Sequence, residues 1–123
     1  MKKENIQFNT IGHIEELPAS IQKLIQYSID ETLNNTGMIL TLALSYGGRQ
    51  EIMDAVKKVA QMVKEGKVLP KNIDSSLFES FLSTHPIPDP DLLIRTSGER
   101  RISNFLLYQN AYTELHYNDV LDR

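Results

Sequence analysis

The spacing of apolar positions along this chain changes several times, and each change predicts a different element. Residues 6–11 read as a short strand. From Pro18, a residue suited to the first turn of a helix, Ile21, Leu24, Ile25, Ser28, Thr32 and Leu33 recur at three- and four-residue intervals. That period predicts an amphipathic helix over 18–34. Asn34-Asn35-Thr36-Gly37 ends it. The period then vanishes. Met38-Ile-Leu-Thr-Leu-Ala-Leu44 is largely apolar on both faces, the pattern of a strand buried inside a parallel sheet. Ser45-Tyr-Gly-Gly-Arg49 breaks it.

Helical spacing returns over 50–65, where Ile52, Ala55, Val56, Val59, Ala60 and Val63 form a stripe and Gly66 suits the C-terminal cap. A loop with Pro70 comes next. Asp74 can cap a third, short helix carrying Leu77, Phe78, Phe81 and Leu82. Pro86, Pro88 and Pro90 forbid regular structure up to Asp91. Residues 91–95 read as another strand, and 113–117 as a last one. No repeat, low-complexity tract or linker interrupts the series.

Strands alternating with helices predict an α/β fold with a mostly parallel sheet and flanking helices. In such sheets, ligands bind outside the carboxyl ends of the strands. The loops beginning at Ser45 and at Arg95 both leave such ends. If their strands are parallel, both open on one edge, and Arg49, Arg95, Arg100 and Arg101 can gather around one anion.

Charge sharpens this picture. The chain has 123 residues, a net charge of -3 and 41% hydrophobic residues, which fits one small domain or a piece of a larger one. Net acidity argues against a general nucleic-acid binder. Yet Ile94-Arg-Thr-Ser-Gly-Glu-Arg-Arg-Ile-Ser-Asn-Phe105 packs three of the five arginines with several hydroxyls. Arginine offers a planar donor fork that matches phosphate or carboxylate. The lysines Lys57, Lys58, Lys64 and Lys67 lie instead on or just after the second predicted helix and read as solvated. Cysteine is absent, so disulfides and thiolate metal sites are excluded. The start, Met1-Lys-Lys-Glu-Asn, leads into no long apolar run, and no stretch is long enough to span a bilayer.

Each candidate has a plainer reading. Gly47-Gly48 reads first as a tight strand-to-helix turn and second as a place where backbone N–H groups meet an anion. Glu114, between apolar neighbours, reads as a half-exposed strand residue or as a magnesium ligand. His13, His85 and His116 share no metal-ligand spacing. Glu99 reads as a partner for a nearby arginine, and Met38 and Leu40 as core.

The stretch Asp91-Leu-Leu-Ile-Arg-Thr-Ser-Gly-Glu-Arg-Arg-Ile-Ser-Asn-Phe-Leu-Leu-Tyr-Gln-Asn-Ala-Tyr-Thr-Glu114 resembles the C-terminal signature of the cis-prenyltransferases, whose bacterial members are undecaprenyl diphosphate synthases. Leu42-Ala-Leu-Ser-Tyr-Gly-Gly-Arg-Gln-Glu-Ile52 is similar to a second family signature, and Ile11-Gly-His-Ile-Glu-Glu-Leu-Pro18 to a weaker third. The resemblance implies condensation of isopentenyl diphosphate with an allylic diphosphate, such as farnesyl diphosphate, to give a cis-polyprenyl diphosphate, with Mg2+ assisting departure of the allylic diphosphate. It implies that Arg95, Arg101, Ile102 and Ser103 hold isopentenyl diphosphate, that Glu114 takes part in magnesium binding, and that Met38, Leu40 and Leu44 line a hydrocarbon tunnel. It further implies a homodimer, a cytoplasmic setting at the membrane periphery without a membrane span, and no nucleic-acid partner.

The chain also departs from the family. Members are about twice as long, and their N-terminal half carries an Asp-Gly-Asn-Gly-Arg type loop that cradles the allylic diphosphate. These 123 residues contain no such loop. Ser45 stands where asparagine is usual, and Tyr108 where tryptophan is usual. The expectation is therefore residues 1–123 as the C-terminal half of a cis-prenyltransferase domain, truncated and inactive alone. Two alternatives stay open: a non-catalytic subunit lending its arginine loop to another chain, and a generic anion- or nucleic-acid-binding module.

Overall fold

The structure, a computed structural model, describes residues 4–96 and 102–117. The chain divides into two compact units, residues 1–46 and 47–123.

In the first unit, β1 (Gln7–Ile11) pairs in parallel with β2 (Ile39–Ala43), Phe8 opposite Leu40 and Ile11 opposite Ala43. Between them in sequence runs α1 (Ala19–Thr32). Pro18 sits at its N-cap, and its carbonyl accepts from the N–H groups of Ile21 and Gln22. This is the β-α-β crossover that the alternating pattern predicts. The helix packs on β1, and Ile25 and Thr32 are its buried residues. Thr32 Oγ1 accepts from Phe8 N at 2.9 Å and donates to Ser28 O at 2.8 Å, so a polar member of the predicted stripe is satisfied inside the core.

The rest of that stripe is not covered. Ile21, Leu24 and Leu33 are exposed. The expectation that residues 38–44 lie buried is also not met here. Met38 is 64% and Leu40 37% exposed, and Ile39 and Leu42 are exposed too. The strand forms where predicted, but among the described residues its hydrogen-bonded neighbour is β1 alone. The apolar pattern records a demand for burial on both faces. One strand and one helix cannot meet that demand.

Gly12 follows the end of β1, beside the end of β2. Its φ is +106°, and a Cβ there would lie 1.9 Å from the Leu44 carbonyl oxygen. Only glycine fits so close a backbone approach.

In the second unit, α2 (Gly48–Lys64) buries Glu51, Ala55 and Val59. Val56 and Ala60, from the predicted stripe, are exposed. The helix closes as expected at Gly66, φ +74°. Gly66 N donates to Val63 O at 3.0 Å and Lys67 N to Met62 O at 2.9 Å, the paired bonds of a Schellman cap. The helix α3 (Ser75–Glu79) starts at Asp74, whose Oδ1 accepts from Leu77 N at 2.9 Å. β3 (Leu92–Arg95) and β4 (Glu114–Tyr117) pair in parallel, Leu92 opposite Glu114 and Arg95 opposite Tyr117. The described strands thus form two parallel pairs. No helix among the described residues is long and apolar enough to cross a membrane.

Leu24, Tyr27, Leu33, Met38, Ile39, Leu92 and Ile94 are all exposed. Apolar patches and open strand edges of this kind attract other chains. At low micromolar concentration the 123-residue chain is expected to scatter light as an oligomer or aggregate. A monodisperse monomer that unfolds cooperatively would show that these residues close their own core.

Candidate functional site

The second unit holds most of the residues singled out above. Arg95 is the last residue of β3, at the carboxyl end of a parallel pair, and is half-buried. Arg100 and Arg101 lie outside the described residues. Ile102 is half-buried and Ser103 exposed. Ser103 begins a turn with an unusual backbone: φ is +55° at Ser103, +62° at Asn104 and +48° at Leu106. Residues other than glycine seldom adopt this region, at a cost of about 1–3 kcal/mol each. Asparagine tolerates it best, and leucine poorly.

The turn rests on the start of α2. Gly48 N donates to Asn104 O at 2.7 Å, and Arg49 N donates to Asn104 Oδ1 at 2.9 Å. These bonds explain the glycine pair. A Cβ on Gly47 would lie 2.9 Å from Asn104 Nδ2, and one on Gly48 would lie 2.8 Å from Leu107 Cγ. The pair admits a neighbouring segment onto the helix end, and Asn104 takes the first two N–H groups that an anion would otherwise use.

Behind the turn is a polar cluster that the hydrophobic pattern does not reveal. Glu51 is 5% exposed and Gln109 3%. Glu51 Oε2 accepts from Ser83 N at 2.8 Å, and its Oε1 accepts from Gln109 Nε2 at 3.0 Å. Gln109 Nε2 also donates to Thr84 Oγ1 at 3.1 Å. Asn110 Nδ2 donates to Phe105 O at 3.0 Å. The segment after Ser103 is therefore fastened at successive points. The only sequence signal for Glu51 is an acid placed beside the apolar stripe of α2. Tyr108 lies against Phe78, ring centroids 5.2 Å apart, and donates to Glu79 Oε1 at 2.9 Å. That hydrogen bond to a carboxylate raises the tyrosine's pKa above its usual value.

Glu114 opens β4, exposed, with its N–H bonded to Asp91 O at 3.1 Å. It stands level with Leu92, at the opposite end of the pair from Arg95, about 10 Å away at the usual rise per residue. Among the described residues no group of three or more His, Cys, Asp or Glu could hold a metal. A single exposed carboxylate nonetheless suits Mg2+, which takes one or two carboxylates and fills its remaining positions with phosphate oxygens and water.

The proposed tunnel residues belong to the first unit. Met38, Leu40 and Leu44 alternate along one face of β2 and its flanks, and Leu42 shares that face. The strand period alone would have included Leu42. At the carboxyl ends of β1 and β2, Ser45 has φ +48° and its Oγ donates to Glu16 Oε1. His13 Nδ1 lies 3.6 Å from Glu16 Oε2. The Ser45 hydrogen bond, with a smaller contribution from His13, lowers the Glu16 pKa. His13 is thus a local partner for acids on the short turn Ile14–Glu16.

The chain is similar to known proteins over most of its length. The family described as "Putative undecaprenyl diphosphate synthase" matches residues 1–121. The isoprenyl transferase of Geobacter sulfurreducens is 53% identical over 120 residues, which are 98% of this chain and 49% of that protein. The crystal structure of lavandulyl diphosphate synthase from Lavandula x intermedia in complex with dimethylallyl diphosphate superposes with a TM-score of 0.91 at 42% identity, covering 94% of this chain and 50% of that one. A probable undecaprenyl diphosphate synthase from Campylobacter jejuni gives 0.82 at 27% identity, covering 98% and 54%. The chain spans about half the length of the curated relatives it matches.

Proposed function

This chain belongs to the undecaprenyl diphosphate synthase family, a family of cis-prenyltransferases, and we propose that its second unit binds the diphosphate of isopentenyl diphosphate for condensation with an allylic diphosphate. The observation that carries the reading is Arg95 at the carboxyl end of a parallel strand, in a unit that also holds Ser103 on a strained, firmly tethered turn. Arg95 and Arg101 supply donor forks, Ser103 a hydroxyl and Ile102 a neighbouring apolar contact. Fixing the diphosphate aims the alkene carbon of the substrate at the allylic carbon, so these residues act by positioning. Glu114 would be one carboxylate ligand for magnesium, which when bound would supply charge neutralisation for a diphosphate. Met38, Leu40 and Leu44 line the path of the growing hydrocarbon. The working state is a homodimer, cytoplasmic and peripheral to the membrane.

A second reading has its own support. The 123 residues contain no Asp-Gly-Asn-Gly-Arg type loop, so by themselves they lack the residues that cradle an allylic diphosphate in the family. They would then serve as a substrate-holding half that works with another polypeptide segment. One experiment tests both parts. The purified chain is mixed with isopentenyl diphosphate, farnesyl diphosphate and Mg2+, and binding and radiolabel incorporation are followed separately. Binding without elongation is expected. Incorporation by the chain alone would remove the second reading, and failure to bind isopentenyl diphosphate would remove the first.

A further inference from the structure

We propose that Asn104 is a positioning residue for the diphosphate site, setting the direction of the Ser103 hydroxyl by clamping the strained turn onto the start of α2. The inference deepens the proposed function and rests on Ser103 being a diphosphate contact.

A 17-residue helix leaves its first N–H groups without intrahelical acceptors. At the N-cap of α2 stands Gly47, which has no side chain to accept them. Asn104 supplies two acceptors from a distant part of the sequence: its carbonyl takes Gly48 N–H at 2.7 Å and its side-chain oxygen takes Arg49 N–H at 2.9 Å. Both bonds orient one residue, so they define the plane of the Asn104 backbone as well as its place. Ser103 is the next residue back and shares a peptide unit with it. With φ of +55° and +62° at the two positions, the hydroxyl-bearing residue is held in a conformation that a free chain would leave.

The arrangement is also protected from behind. Asn110 holds the Phe105 carbonyl at 3.0 Å, and Gln109 is tied to Glu51 at 3.0 Å. The glycine pair leaves room for the contact, since a Cβ on Gly48 would lie 3.1 Å from the Asn104 carbonyl oxygen and 2.8 Å from Leu107 Cγ. The positive end of the helix therefore works through Asn104: its first two donors hold the turn, and the turn presents Ser103.

The test is calorimetric titration of the 123-residue chain with isopentenyl diphosphate. Asn104→Gly tolerates the positive φ, keeps the backbone acceptor and removes the whole side chain, including the oxygen that takes the Arg49 N–H. It is expected to raise Kd about tenfold, within the range that small misplacements of binding groups produce, with the number of sites per chain unchanged. In a Ser103→Ala background the same substitution is expected to change Kd by less than about twofold, because a residue acting through Ser103 has nothing left to aim. Gly48→Ala approaches the same contact from the helix side and is expected to behave like Asn104→Gly. Lys57→Ala, on an exposed part of α2, serves as control.

A fall in the number of sites with Kd unchanged would mean that Asn104 only supports folding, and the inference would fail. Equal increases in Kd in both backgrounds would also overturn it, since Asn104 would then act independently of Ser103. If Ser103→Ala raises Kd but Asn104→Gly and Gly48→Ala do not, this inference alone is lost. If Ser103→Ala and Arg95→Ala both leave Kd at the parent value, the proposed site is lost, and this inference with it.

Discussion

Arg95→Ala is expected to weaken isopentenyl diphosphate binding by about 2–5 kcal/mol, the usual cost of removing one partner of a buried, hydrogen-bonded charge pair. In affinity that is about thirtyfold to several thousandfold. Arg95 is half-buried before ligand arrives, so the effect should fall toward the lower part of the range. Its backbone is held by β4, with Arg95 opposite Tyr117, and a guanidinium on a strand end keeps less freedom than one on a loop. The planar fork can then meet two phosphate oxygens at once. Arg101→Ala is expected to cost a similar amount, on the family resemblance of its sequence position. Lys57→Ala should change little. Titration calorimetry of the three variants decides the matter: equal small losses at all three would indicate a diffuse surface field and no defined site.

Glu51→Ala is expected to destabilise the chain by about 2–4 kcal/mol, measured as a shift of the urea midpoint at constant slope. The carboxylate accepts from Ser83 N at 2.8 Å and Gln109 Nε2 at 3.0 Å. Removing it leaves one main-chain donor and one amide donor without these partners, and each such loss costs about 1–3 kcal/mol. Gln109 keeps its bond to Thr84 Oγ1, which holds the total below the sum of two full penalties. Glu51→Gln retains one carbonyl oxygen but turns an amide donor toward another donor, so about half the loss is expected. A change below about 0.5 kcal/mol in Glu51→Ala would mean that the cluster is solvated and the segment after Ser103 is not anchored there.

Element boundaries were legible in the amino-acid order alone. Periodicity, Pro18, Asp74 and Gly66 act within a few residues of the structure they specify, so α1, α2 and the start of α3 could be read without any tertiary information; α3 ends at Glu79, short of Phe81 and Leu82, which the apolar spacing places on it. The parallel pairing of β1 with β2 was legible from strand-helix alternation, because a short connection cannot return a chain parallel to itself; between β3 and β4 the pattern predicts no clear helix, and their parallel pairing is a finding of the structure. The position of Arg95 at the end of a strand was also legible in the sequence.

Contacts made across long separations in sequence had to come from the folded chain. Glu51 meets Gln109, and Arg49 N–H meets Asn104; nothing near either residue announces the other. A buried carboxylate beside an apolar stripe reads in sequence as a solvated one, because burial of a charge depends on partners that fold back from elsewhere. Gly47-Gly48 likewise reads as a turn until the segment that needs its missing side chains is in place. The exposed faces of α1 and β2 show the same physics from the other side. A hydrophobic pattern states that a surface must be covered, but it does not carry the identity of the cover.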